Sequence, residues 1–75
     1  MRFVTWLWEQ LDAPGDIGVC ANICWKDVNN GCANPRFSAS QWVAHFEERH
    51  HDRKDLLINM LVEAYKEYML SPSQK

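Results

Sequence analysis

The stretch Leu56-Leu57-Ile58-Asn59-Met60-Leu61-Val62-Glu63-Ala64-Tyr65-Lys66-Glu67-Tyr68 decides the fold class. Leu56, Leu57, Met60, Leu61, Ala64, Tyr65 and Tyr68 recur at helical spacing for more than three turns, while Asn59, Glu63, Lys66 and Glu67 fall on the opposite face. Such a stripe predicts a long amphipathic helix whose apolar side must be covered by other elements. Asp52 is the candidate cap at its start. Beyond Leu70 the tail Ser71-Pro72-Ser73-Gln74-Lys75 is expected to fray.

Upstream, Ser38-Ala39-Ser40-Gln41 has the S-x-x-Q spacing of a capping box, in which hydroxyl and amide satisfy each other's free backbone N–H groups. A third helix therefore starts there, carries Trp42, Val43 and Phe46 inward, and ends near His50 or His51, within the polar stretch from Glu47 to Asp55. The loop from Asn29 to Phe37 contains Pro35, which cannot continue a helix. A second helix is read from Ile17 to Asp27, with Asp16 as N-cap, Asn29-Asn30-Gly31 as its stop, and Ile17, Cys20, Ile23 or Cys24 and Val28 on its apolar face. Phe3, Trp6, Leu7 and Gln10 lie at i, i+3, i+4 and i+7 on a short first helix, which reaches Leu11 before the breaker run Asp12-Ala13-Pro14-Gly15. No segment alternates apolar and polar residues in the manner of a strand.

The expectation is an all-α, compact orthogonal bundle of four or five helices, one domain over residues 1–70 with a tail at 71–75. A chain of 75 residues offers a single core, too small for a Rossmann unit or a deep enzymatic cleft. Its 47% hydrophobic content excludes the composition of disorder. With 8 basic residues against 10 acidic ones, it has no bulk positive field to collect nucleic acid or anionic lipid. The first apolar run is too short for a signal peptide, and none approaches the ~20 residues of a membrane span. Three cysteines, an odd number, suit a reducing compartment, so a cytoplasmic location is expected.

Phe3, Trp6-Leu7 and Gln10, then Asp16-Ile17-Gly18 with Ala21, then Trp42, and finally Ala64, Tyr65 and Glu67-Tyr68 resemble the YozE-like family of small bacterial and phage proteins. The likeness spans roughly residues 3 to 68 through scattered core positions. It implies a four- or five-helix fold similar to sterile alpha motif domains. It implies an architecture rather than an activity, since that family has no settled biochemical role, and because bundles of this kind mostly bind other proteins and less often nucleic acids, it favours a binding module. Where the family has an acidic residue after the matched alanine and a Phe-Pro pair before its third helix, this chain has Asn22 and Asn34-Pro35-Arg36-Phe37. The family's phage-encoded members make the modulation or inhibition of a host protein, in the host cytoplasm, part of the expectation.

Several constellations bear on chemistry. Cys20 and Cys24 lie one helical turn apart, with Cys32 in the following loop and His45, His50 or His51 available as a fourth zinc ligand. The C-x3-C-x7-C spacing matches no strong zinc pattern, however, and buried cysteines behave as small hydrophobes. The reading therefore assigns no metal, no cofactor and no catalytic residue, and keeps a small zinc-stabilised domain as its third choice. Adjacent Glu47 and Glu48 do not face each other on a helix and belong to a solvated face. Arg49, Arg53 and Lys54 around His50-His51 form the one locally basic cluster, opposed by Glu47, Glu48, Asp52 and Asp55. A salt-bridged, solvated junction is favoured there over a nucleic-acid surface, which is the second choice of function.

The strongest functional signal is apolar excess. With Phe3, Trp6 and Leu7 assigned to the core, Val4, Trp8 and Leu11 remain on the other face of the first helix, with Trp25 on the second as a further contact. The alternative is that the last helix wraps the first and buries both faces. The function expected is a non-catalytic protein–protein interaction module that inserts Val4, Trp8 and Leu11 into a groove of a cytosolic partner, with charges near His50 setting orientation. A second copy of the chain is the alternative partner.

Overall fold

A computed structural model describes residues 2–71. Its elements are α1 (Phe3–Trp8), α2 (Gly15–Asn29), α3 (Ala39–Arg49), a 3-10 turn (His51–Arg53) and α4 (Lys54–Leu70). Among the described residues there is no strand, and the chain is an all-α four-helix bundle. Of the expected frayed tail, only Ser71 lies within the described residues.

The long apolar stripe explains the packing: α4 touches α1, α2 and α3, while α1 also touches α2. Leu57, Met60, Leu61 and Ala64 point inward, and Asn59, Glu63, Lys66 and Glu67 outward, as the spacing predicts. Leu56, expected inside, is 58% exposed because its neighbour Leu57 takes the inward position of the first turn and the helix turns Leu56 aside from it. Against the stripe sit Leu7 from α1, Cys20, Ala21 and Cys24 from α2, and Trp42 and Phe46 from α3. Phe3 closes one end of the core with its ring against Tyr65 and Tyr68.

The capping box at α3 is complete: the Gln41 N–H donates to Ser38 Oγ at 3.3 Å and the Ser38 N–H to Gln41 Oε1 at 2.8 Å. Two other expected caps are corrected. Asp16 is not the N-cap of α2, because Gly15 adopts φ +76° and makes the turn into the helix one residue earlier. Asp16 instead places its charge in the first turn, at the positive end of the helix dipole. Asp52 does not cap α4 but belongs to the 3-10 turn, and Arg53 occupies the cap position without a side-chain bond.

The first helix stops at Trp8 rather than Leu11. Beyond it the backbone tightens into i→i+3 bonds, from Gln10 N–H to the Leu7 carbonyl and from Ala13 N–H to the Gln10 carbonyl. The Leu11 carbonyl is instead taken at 2.8 Å by the Asn22 side-chain amide, which also donates to the Gly18 carbonyl at 2.8 Å. Asn22 thereby clamps the α1–α2 connection onto α2. Gly18 makes the approach possible, because a methyl group there would overlap the Ala13 carbonyl.

Candidate functional site

Two places carry functional potential: the outer face where α1 meets α2, and a cluster of titratable groups between α2 and α3. The four residues expected at a partner surface do not share one fate. Val4 is corrected to the core at 3% exposure: it belongs to the same buried cluster as Phe3, Trp6 and Leu7, so both faces of the short first helix are covered. Trp8 and Leu11 are half-buried and packed against the core. Trp25 is 42% exposed, and its ring meets that of Trp8 edge to face, with centroids 5.2 Å apart. Beside Trp25 runs a groove of about 600 Å³, lined by Ala13, Gly15, Gly18, Val19, Ile23 and Lys26 among others.

The basic junction is present but not salt-bridged. Arg49, Arg53 and Lys54 are exposed, and among the described residues none of them makes an ion pair. Asp52 and Asp55 line the same shallow groove as Arg53 and Lys54, so the local charge stays mixed. The thiols do not assemble a zinc site. Cys20 and Cys24 are buried in the core, and Cys32 is in the loop with its Sγ 3.9 Å from the Asn30 carbonyl. A hydrogen bond with Cys20, burial, and electrostatic repulsion from Cys20 and Asp27 all push the Cys24 thiol up.

The titratable cluster joins Asp27, His45 and His50. Asp27 is buried because it continues the stripe of Cys20 and Cys24 at i, i+4 and i+7, which turns its carboxylate toward α3. His45 lies on the inner side of α3, one turn after Trp42. Its ring is held among Phe37, Trp42 and Phe46 at centroid distances of 5.9, 5.5 and 5.8 Å. His50 sits at the C-cap of α3, where the chain leaves the helix with φ −122° and ψ 43° and swings the imidazole back over Phe46.

Both imidazoles reach one oxygen: Nε2 of His45 is 2.7 Å and Nε2 of His50 is 2.9 Å from Asp27 Oδ2. With the carboxylate ionised, each Nε2–H donates to Oδ2. Burial pushes the Asp27 carboxyl up, but the hydrogen bonds and positive charge of His45 and His50 outweigh it and hold the group below the ordinary carboxylate range. Two imidazoles and a carboxylate are also a donor set suited to a divalent transition metal.

The sequence reading offers His45, His50 and His51 as possible partners of the cysteines and places His50-His51 in the basic cluster, but it does not pair any of them with Asp27. The missed signal is a carboxylate on the buried stripe of α2, since an acidic residue there requires a donor from a facing helix. The chain matches no family model, no curated protein and no solved structure.

Proposed function

We propose that this chain is a non-catalytic protein-binding module whose contact surface is the face where the end of α1 meets α2, with Trp8 and Trp25 as anchors. The observation that carries this reading is the edge-to-face indole pair, its outer member 42% exposed, beside an apolar groove of about 600 Å³. Tryptophan is enriched among residues that dominate binding energy, and a pair braced by its own contact loses little freedom on binding.

The occupant that fits is an amphipathic helix of a cytosolic protein, laying aliphatic side chains along Val19 and Ile23 and against Trp25. Glu9, Asp12 and Asp16 are exposed on or next to the α1–α2 connection, so basic residues flanking the apolar face of that helix would complement this surface. The resemblance to the YozE-like family supports a binding role and, through the phage-encoded members, the finer reading of a modulator that acts on a host protein. Among the described residues no helix is long and apolar enough to cross a membrane.

The test compares capture by the wild type and by Trp25→Ala from a nuclease-treated lysate, after circular dichroism has shown the variant to be folded. The captured protein, purified and titrated, should bind Trp25→Ala at least about 2 kcal/mol more weakly, roughly a thirtyfold loss. Equal affinity for both proteins would overturn the assignment of the face. Binding of a labelled oligonucleotide duplex to the purified chain at low salt, with a steep salt dependence, would move the function to Arg49, Arg53 and Lys54. Concentration-dependent mass in light scattering, abolished by Trp25→Ala, would make the occupant a second copy of the chain.

A further inference from the structure

We infer that Asp27, His45 and His50 form a binding site for one divalent transition-metal ion of the imidazole-preferring class, zinc foremost. Three observations converge on it. First, the candidate donor atoms, one from each residue, lie within 4.8 Å of one another. Second, both imidazole Nε2 atoms converge on a single carboxylate oxygen rather than being shared between two, so two nitrogens and one oxygen are already gathered side by side. Third, the side chains are 11%, 9% and 20% exposed for Asp27, His45 and His50 respectively, which leaves the His50 side as the way in.

The distances are those of a site closed by protons. A tetrahedral zinc site with bonds of about 2.0–2.1 Å sets its donor atoms about 3.4 Å apart. The Oδ2–Nε2 contacts of 2.7 and 2.9 Å therefore open slightly, and side-chain shifts of about 1 Å convert the cluster. His50, at the helix end, has the freedom for most of that movement. Asp27 and His45 are held by the bodies of α2 and α3, so two of the three donors are prepositioned.

Binding leaves the proton count unchanged when both imidazoles are neutral and the carboxylate is ionised. The proton on each Nε2 moves to Nδ1 through solvent exchange, and the freed Nε2 lone pair takes the metal. The choice of metal follows from the donors. Two imidazoles disfavour calcium and magnesium, which take oxygen, and the thiols that would mark a closed Cys-rich site are not part of the cluster. Three protein donors leave at least one position for water or for a carboxylate brought by a partner.

The test adds Co²⁺ and then Zn²⁺ to the full chain after chelator treatment. The expected result is one equivalent of Co²⁺ bound with visible d–d bands, displaced by Zn²⁺. The affinity should be unchanged in Cys32→Ser and His51→Ala but weakened more than about 100-fold in His50→Ala and in Asp27→Asn, because removing a direct ligand exceeds the 10–100-fold effect of outer-shell changes. Asp27→Asn keeps an amide oxygen for the imidazole N–H groups, so its circular dichroism should remain that of the wild type. A readout on the unmodified chain stands beside the variants: ¹⁵N-imidazole spectra should show His45 and His50 changing from Nε2–H to Nδ1–H as zinc is added. No stoichiometric binding by the folded wild type would overturn the site, as would binding that survives His50→Ala, loss of binding in Cys32→Ser, or Nε2–H tautomers that persist in zinc.

Discussion

Gly18→Ala is expected to be the most damaging single-methyl addition in the molecule. Gly18 is buried in the first turns of α2, and the added methyl would overlap the Ala13 carbonyl oxygen and lie 2.9 Å from its carbon, where ordinary contact begins near 3.4 Å. The carbonyl oxygen must withdraw by more than about 1 Å, and overpacking of this kind costs about 1–3 kcal/mol. The same displacement pulls Leu11 away from Asn22, whose 2.8 Å hydrogen bond contributes about 1 kcal/mol more. The sum is about 2–4 kcal/mol, which for a domain of this size lowers Tm by roughly 10–25 °C. Thermal and urea melts followed by circular dichroism measure it. Gly15→Ala is the control, because that position has no atom within 4 Å and only its φ of +76° opposes a side chain, at about 1–2 kcal/mol. Combining Gly18→Ala with Asn22→Ala should cost less than the two separate losses together, since the first substitution already breaks the bond that the second removes. A Gly18→Ala protein melting within about 4 °C of the wild type, or strict additivity with Asn22→Ala, would refute the argument that the α1–α2 connection is seated through this glycine.

Two further outcomes follow from other parts of the fold. Val4→Ala removes two carbons from a site 3% exposed and should destabilise by about 1.5–2.5 kcal/mol in a urea titration, whereas a surface Val4 would leave the midpoint unchanged. In metal-free protein, Asp27 keeps its charge in the folded state below the pH at which an unfolded aspartate loses it. Its stabilisation is therefore fully present above about pH 4 and is lost as pH falls through the depressed folded value. Asp27→Asn should remove that part of the acid sensitivity below about pH 4, read from urea midpoints at each pH.

Legibility in the sequence tracked how local the determining forces are. Periodicity alone located α4, and the Ser38–Gln41 pair located the start of α3, because a capping box is complete within four residues. The end of α1 was not legible, since it depends on Asn22, on another helix, taking the Leu11 carbonyl. Val4 is not legible for a related reason: which faces of a six-residue helix are covered is decided by distant parts of the chain, and here Val4 joins Phe3, Trp6 and Leu7 in the core. Trp25 stands outward on α2, but its pairing with Trp8 is a tertiary fact that no local pattern carries. The acidic member of the buried cluster could have been suspected from the i, i+4, i+7 stripe. Its partners could not, because His50 acts from beyond the end of α3, where no helical periodicity applies.

The contact of Phe3 with Tyr65 and Tyr68 joins the first helix to the last turns of the final one. Six residues are too few for a helix to persist in water by itself. During synthesis α1 is therefore expected to stay unstructured until α4 has left the ribosome, and the core to assemble only once that helix has emerged. A nascent chain arrested before Tyr65 should expose Phe3 and Trp6 to chaperones and proteases, while one extended past Leu70 by a tunnel-length linker should be protected in a single step.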